Sequence, residues 1–163
     1  MTTLRDRVDA AVNRDGEAVS RDTNGNWLAF QVGAHRFAVP SHAVVEVTNV
    51  RPVHPIPHTP VHILGVFTLR SMPVPLFDLA LLLSEGRQTP AKRFVLLQHE
   101  DLLAGVMADR VIGFASVAED DLRAPLPEME RLGPFVTGQF IEGDALTATV
   151  DVARLLDHTR TRG

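Results

Sequence analysis

Nineteen residues beginning at Gly65, GVFTLRSMPVPLFDLALLL, lie without a gap over nineteen beginning at Gly138, GQFIEGDALTATVDVARLL, at an offset of 73. Gly65 and Gly138, Phe67 and Phe140, Asp78 and Asp151, Ala80 and Ala153, and the closing leucine pairs fall on the same positions. In both copies a strand-like run, a tight turn, a second strand-like run, an aspartate placed to cap and a short apolar helix follow in that order, so one small β unit is predicted to be built twice. A fainter echo, FAVPSHAVVEV over AGVMADRVIGF at an offset of 67, puts the start of the second unit near Arg93. Units this small are marginal alone, because a single small core supplies only about 3–5 kcal/mol. They are therefore expected to share an interface, as two small antiparallel β-barrels packed together.

The rest of the chain agrees with a mostly β reading. WLAFQV and RFAVP flank GAH as a hairpin, RFVLLQ and LLAGVMADRV flank HED as another, and HILGVFTL, MPVPLF, FVTGQFIE and ALTATV add strands. Helical turns fit only after Ser41, Asp78 and Asp151, each an N-cap candidate. At 163 residues and 45% apolar, the chain buries enough surface to fold without metal or disulfide, and it contains no cysteine. Residues 1–26 differ, with nine charged side chains and Leu4, Val8 and Val12 spaced for one short amphipathic helix; they are expected to be flexible or peripheral. The opening residues lack the apolar centre of a signal peptide, and no apolar run reaches the roughly 18 residues of a membrane helix, so a cytoplasmic protein with no direct membrane insertion is expected. A net charge of -4 with dispersed arginines disfavours nucleic acid as a partner.

WLAFQVGAHRFAVPSHAVVEV, then IPHTPVHILGVFTLRSMPVPLFDLALLL, AGVMADRV and TGQFIEGDALTATVDVARLL resemble the CheW family of chemotaxis adaptors over about residues 27–157. The most specific parts are Thr59-Pro60, Gly65, the Leu69-Arg70 turn and Asp78-Leu79, where the family usually reads T-P, G-V, N-L-R-G and D-L. Thr68 stands for the usual asparagine, Ser71 for the usual glycine, and prolines occupy positions 73 and 75. The resemblance implies two intertwined five-stranded barrels, the first over about residues 27–83 and the second over about 93–157, with 158–163 as a tail. It also implies a non-enzymatic, cofactor-free scaffold that couples a CheA-like histidine kinase to a methyl-accepting chemoreceptor.

Arg70 stands alone in an apolar stretch, and two readings of it stay open. It is a solvated turn residue, or, as the resemblance implies, it pairs with Glu46 of VVEV and orients a partner surface that includes Ser71. Val44, Ile63 and Leu69 are the apolar candidates for that surface, with plain core as the other reading, since strand alternation buries one face in any case. His54, His58 and His62 have a helical metal spacing, but Pro55, Pro57 and Pro60 forbid the helix, so no metal site is expected. Asp109, Glu142, Asp144 and Asp151 invite an acid cluster, yet Asp144 sits at a turn and Asp151 repeats the cap of Asp78. Ser41 and Ser71 lack a nucleophile-elbow context. A small barrel that binds a ligand or hydrolyses it with histidine and carboxylate groups is the alternative class. Finally, Pro73 and Pro75, two apart on one strand, remove N–H groups from the same side, which cannot then be fully laddered.

Overall fold

A computed structural model describes residues 26–60, 63–82, 91–127, 135–142 and 144–157; the expected N-terminal helix on Leu4, Val8 and Val12, His62 and the 158–163 tail lie outside them. Among the described residues ten strands form: β1 (Trp27–Val32), β2 (His35–Pro40), β3 (Val44–Asn49), β4 (Ile63–Leu69), β5 (Met72–Phe77), β6 (Arg93–His99), β7 (Leu102–Ala108), β8 (Arg110–Ala115), β9 (Val136–Glu142) and β10 (Ala145–Val150). Two short helices follow β5 and β10, α1 (Leu79–Leu82) and α2 (Val152–Asp157). The strands make two five-stranded sheets, ordered β8-β1-β2-β10-β9 and β3-β6-β7-β5-β4.

The repeat is realised residue by residue. β9 and β10 begin and end 73 positions after β4 and β5. The offset of 67 holds at the tips of the β1–β2 and β6–β7 hairpins: Gln31 donates from Nε2 to the Gly33 carbonyl at 2.9 Å, and Gln98 donates to the Glu100 carbonyl at 3.1 Å. Gly33 and Glu100 have matching positive φ values of 59° and 56°. Beside β4, His54 exchanges two backbone hydrogen bonds with Val66, and beside β9 Arg123 does the same with Gln139. The repeated glycines make room for these bridges. A Cβ on Gly65 would collide with the His54 carbonyl, and one on Gly138 would lie 2.9 Å from the Arg123 carbonyl.

Three apolar clusters divide the interior. One lies between the sheets and draws on both, with Phe30, Phe37, Val47, Phe77, Leu97, Val106 and Leu155 among its members. A second is wrapped by β3, β4, β5 and β6 around Phe67, Leu76, Phe94 and Leu96, with the Phe67 and Phe94 rings 4.8 Å apart. The third is wrapped by β1, β2, β8 and β9 and is built from smaller residues, Ala29, Ala38 and Ala115 beside Phe140.

Several expectations need correction. Among the described residues no ladder joins the outer strands of either sheet, so these are two curled five-stranded sheets rather than closed barrels. Nor are they wholly antiparallel: β2 and β10 pair in parallel, as do β5 and β7. The sheets also do not divide where the chain was expected to divide, because β1 and β2 join β8–β10 while β6 and β7 join β3–β5. LLAGVMADRV is two strands, and Asp109 between them passes the chain from one sheet to the other. The turn at Ser41–Ala43 is a three-residue 3-10 turn with Pro40 at the cap position and no side-chain capping bond. Asp78 and Asp151 do cap, accepting from the backbone N–H groups of Ala80 at 3.0 Å and Arg154 at 3.1 Å.

The two prolines behave as their missing N–H groups require. Around the two-residue turn that joins β4 to β5, the pairs Thr68–Pro73 and Val66–Pro75 are of the non-hydrogen-bonded kind, so both proline nitrogens face β7. The β5–β7 ladder is confined to Leu76–Gly105 and Phe77–Val106. In the repeat, where position 148 is alanine, the β10–β2 ladder extends across Ala148.

Candidate functional site

β4 and β5 are closed by Leu69 facing Met72, which leaves Arg70 and Ser71 as the turn. Both have positive φ, 49° and 70°, as a type I′ turn demands at its two central positions. That conformation costs a residue other than glycine about 1–2 kcal/mol. The turn is thus a strained, narrowly defined mount for the arginine side chain.

Arg70 Nη2 donates to Glu46 Oε1 at 2.9 Å. Glu46 belongs to β3 and Arg70 follows β4, the two outer strands of one sheet. The contact is therefore possible only because the sheet curls until its edges meet. The two ends of the pair are unequal: the Arg70 side chain is 66% exposed and that of Glu46 only 11%. Arg70 keeps donors of its planar fork open to solvent while one terminal nitrogen holds the carboxylate. The pairing of Arg70 with Glu46 is therefore the geometry found, on an arginine whose side chain remains largely in water.

Ser71 and Met72 lie exposed beside the pair, Met72 at 57%. Pattern reasoning passed over Met72, although the first residue after a type I′ turn on a short hairpin is a place where a side chain escapes the core. Val44, Ile63 and Leu69, proposed as exposed apolar contacts, are buried. Val44 and Ile63 belong to the cluster between the sheets and Leu69 to the one wrapped by its own sheet. Along β4 the alternation is clean, with Ile63, Phe67 and Leu69 turned to the interior and Val66 and Thr68 turned outward, so Ile63 and Leu69 are the plain core that alternation allows, while Val44 lies on a strand buried on both faces. On the outer face of the hairpin a groove of about 290 Å³ runs between Ile56, Thr59 and Pro60 on one side and Val66, Pro73 and Pro75 on the other.

The remaining candidates are structural. Asp109 Oδ2 accepts the Gly33 N–H at 2.6 Å and pins the β1–β2 turn to the crossover between sheets. Asp144 lies in the turn before β10, Glu142 is exposed at the end of β9, and Asp151 caps α2. His54 is held in its backbone bridge to Val66, and His58 sits in a turn with φ 65°. Among the described residues no three histidine, aspartate or glutamate side chains gather as a metal ion would require, and no helix is long and apolar enough to cross a membrane.

A family model described as the CheW-like domain matches residues 26–160. The chain is 27% identical over 156 residues to chemotaxis protein CheW of Treponema pallidum (strain Nichols), covering 91% of this chain and 87% of that protein. It is 36% identical over 101 residues to protein FrzA of Myxococcus xanthus, 61% of this chain and 63% of that one. Its fold is similar to that of the scaffolding protein TtCheW from Thermoanaerobacter tengcongensis, with a TM-score of 0.70 at 22% identity, over 78% of this chain and 89% of the other.

Proposed function

The chain belongs to the CheW-like domain family, and from that membership we propose that it is a non-enzymatic adaptor which joins a CheA-like histidine kinase to a methyl-accepting chemoreceptor in the cytoplasm. The observation that carries the choice of surface is the Glu46–Arg70 pair at the strained β4–β5 turn. A guanidinium fixed on one side by a nearly buried carboxylate and open on the other is aimed before a partner arrives, which lowers the ordering cost of binding. Ser71 and Met72 extend the same surface, and Val44, Ile63 and Leu69 hold it in place from the core. Each curled sheet stands for one of the two barrels of the family's scaffold. The hydrolytic alternative finds no support, because its carboxylates at 109 and 151 are engaged by backbone N–H groups.

Separate binding measurements with kinase and receptor test this surface. Arg70→Ala is expected to weaken binding to at least one partner by about 1–2 kcal/mol, as truncation of an interface arginine does. Arg70→Lys is expected not to restore it, since lysine keeps the charge and loses the fork. Undiminished affinity of folded Arg70→Ala for both partners would make the arginine an ordinary turn residue.

A further inference from the structure

The chain halves exchange their hairpins. Residues 26–82 place β1–β2 in one sheet and β3–β5 in the other, whereas residues 91–157 place β6–β7 in the second sheet and β8–β10 in the first. The exchanged hairpin is inserted centrally each time: β6–β7 between β3 and β5, and β1–β2 between β8 and β10. Among the described residues, four of the eight ladders therefore run between halves, namely β1–β8, β2–β10, β3–β6 and β5–β7. Without its guest, the first half is left with β3 unladdered to β4 and β5, and the second with β8 unladdered to β9 and β10. The guest strands bring buried side chains with them, with Leu28, Phe30, Leu96 and Leu97 all fully enclosed.

From this we infer that each half carries a recognition slot, between a lone strand and a hairpin, whose fitting partner is the hairpin of the other half. The two halves are an interlocked pair that holds together without a covalent connection between α1 and β6. The backbone ladders supply affinity and the buried side chains of the guest supply register, as in strand addition to an open sheet edge. Neither half is a domain of its own. The inference rests on topology alone and stands apart from the adaptor role.

The test uses the full chain with a protease-cleavable insert between Gly86 and Arg87, cut to completion on the folded protein. Both fragments are expected to elute together at the volume of the uncut chain, with an unchanged far-ultraviolet spectrum. The unfolding midpoint of the cut protein is expected to rise with protein concentration, because folding becomes bimolecular, while that of the uncut chain does not move. After denaturation, the fragments diluted together should regain the native spectrum and each diluted alone should not. Separation or precipitation of the fragments on cutting, a midpoint independent of concentration, or native refolding of either fragment alone would overturn the interlock.

Discussion

Glu46 and Arg70 differ in exposure, so removing one is not equivalent to removing the other. Arg70→Ala leaves a nearly buried carboxylate without its cation, which is expected to lower stability by about 1–2 kcal/mol in urea unfolding. Glu46→Gln leaves a solvated guanidinium and a neutral acceptor of the same shape, and is expected to stay within about 1 kcal/mol of the parent. The double variant should cost less than the sum of the two, because the carboxylate that Arg70→Ala strands is gone. A strictly additive result would show that the contact carries no coupling. Ser71→Gly should stabilise by about 0.5–1 kcal/mol, since glycine adopts the positive φ of this position at no steric cost. An unchanged urea midpoint would mean the turn relaxes in solution. The pairing was legible through the arginine and acidic residue that the resemblance places together. The inequality was not, because burial of Glu46 depends on how far the sheet curls, and periodicity along a strand carries no information about curl.

At the scale of elements, the repeated glycines and the unrepeated prolines make opposite predictions about the two halves of one design. Gly65→Ala forces a Cβ into the His54 carbonyl at a backbone φ of 146°, and is expected to cost more than about 2 kcal/mol. Gly138→Ala meets the Arg123 carbonyl at 2.9 Å and has no such φ, so its cost should be visibly smaller in the same thermal melt. Equal costs would show that the two bridges are not equivalent in strength. Pro75→Ala restores an N–H facing β7 at the position where Ala148 continues the β10–β2 ladder, and that amide should be slow in hydrogen exchange. Rapid exchange would mean the gap beside β5 is set by more than the prolines. Most strand positions, the aspartate caps of α1 and α2 and the proline-limited ladder could be read from the chain, because each is fixed by local chemistry. The break at Asp109 and the two parallel pairs could not. They are set by which sheet receives a strand after it leaves the turn, and a strand buried on both faces carries the same apolar run in either sheet.

As a whole molecule, the two sheets share one central core and exchange hairpins, so they should unfold together. The single tryptophan, Trp27, lies in one sheet 6.2 Å from Phe140, and the chain has no tyrosine. Its fluorescence therefore reports that sheet alone, while far-ultraviolet circular dichroism reports both; the two urea transitions should coincide. Separated transitions would show that the sheets are independent domains. Val44→Asp in the shared core, or Leu69→Asp in the core wrapped by its own sheet, should unfold the protein rather than weaken one contact, because each places a carboxylate at a fully enclosed or nearly enclosed site. A molecule with two sheets locked in one body suits an adaptor, since partners held by it keep a fixed relation to each other. The most direct measurement is sedimentation of receptor-bearing membranes with the kinase, with and without this protein. The adaptor role predicts that the kinase enters the pellet only when the protein is present, and that folded Arg70→Ala lowers the amount brought down. A kinase that pellets to the same extent without the protein, or stays in the supernatant despite it, would contradict the role.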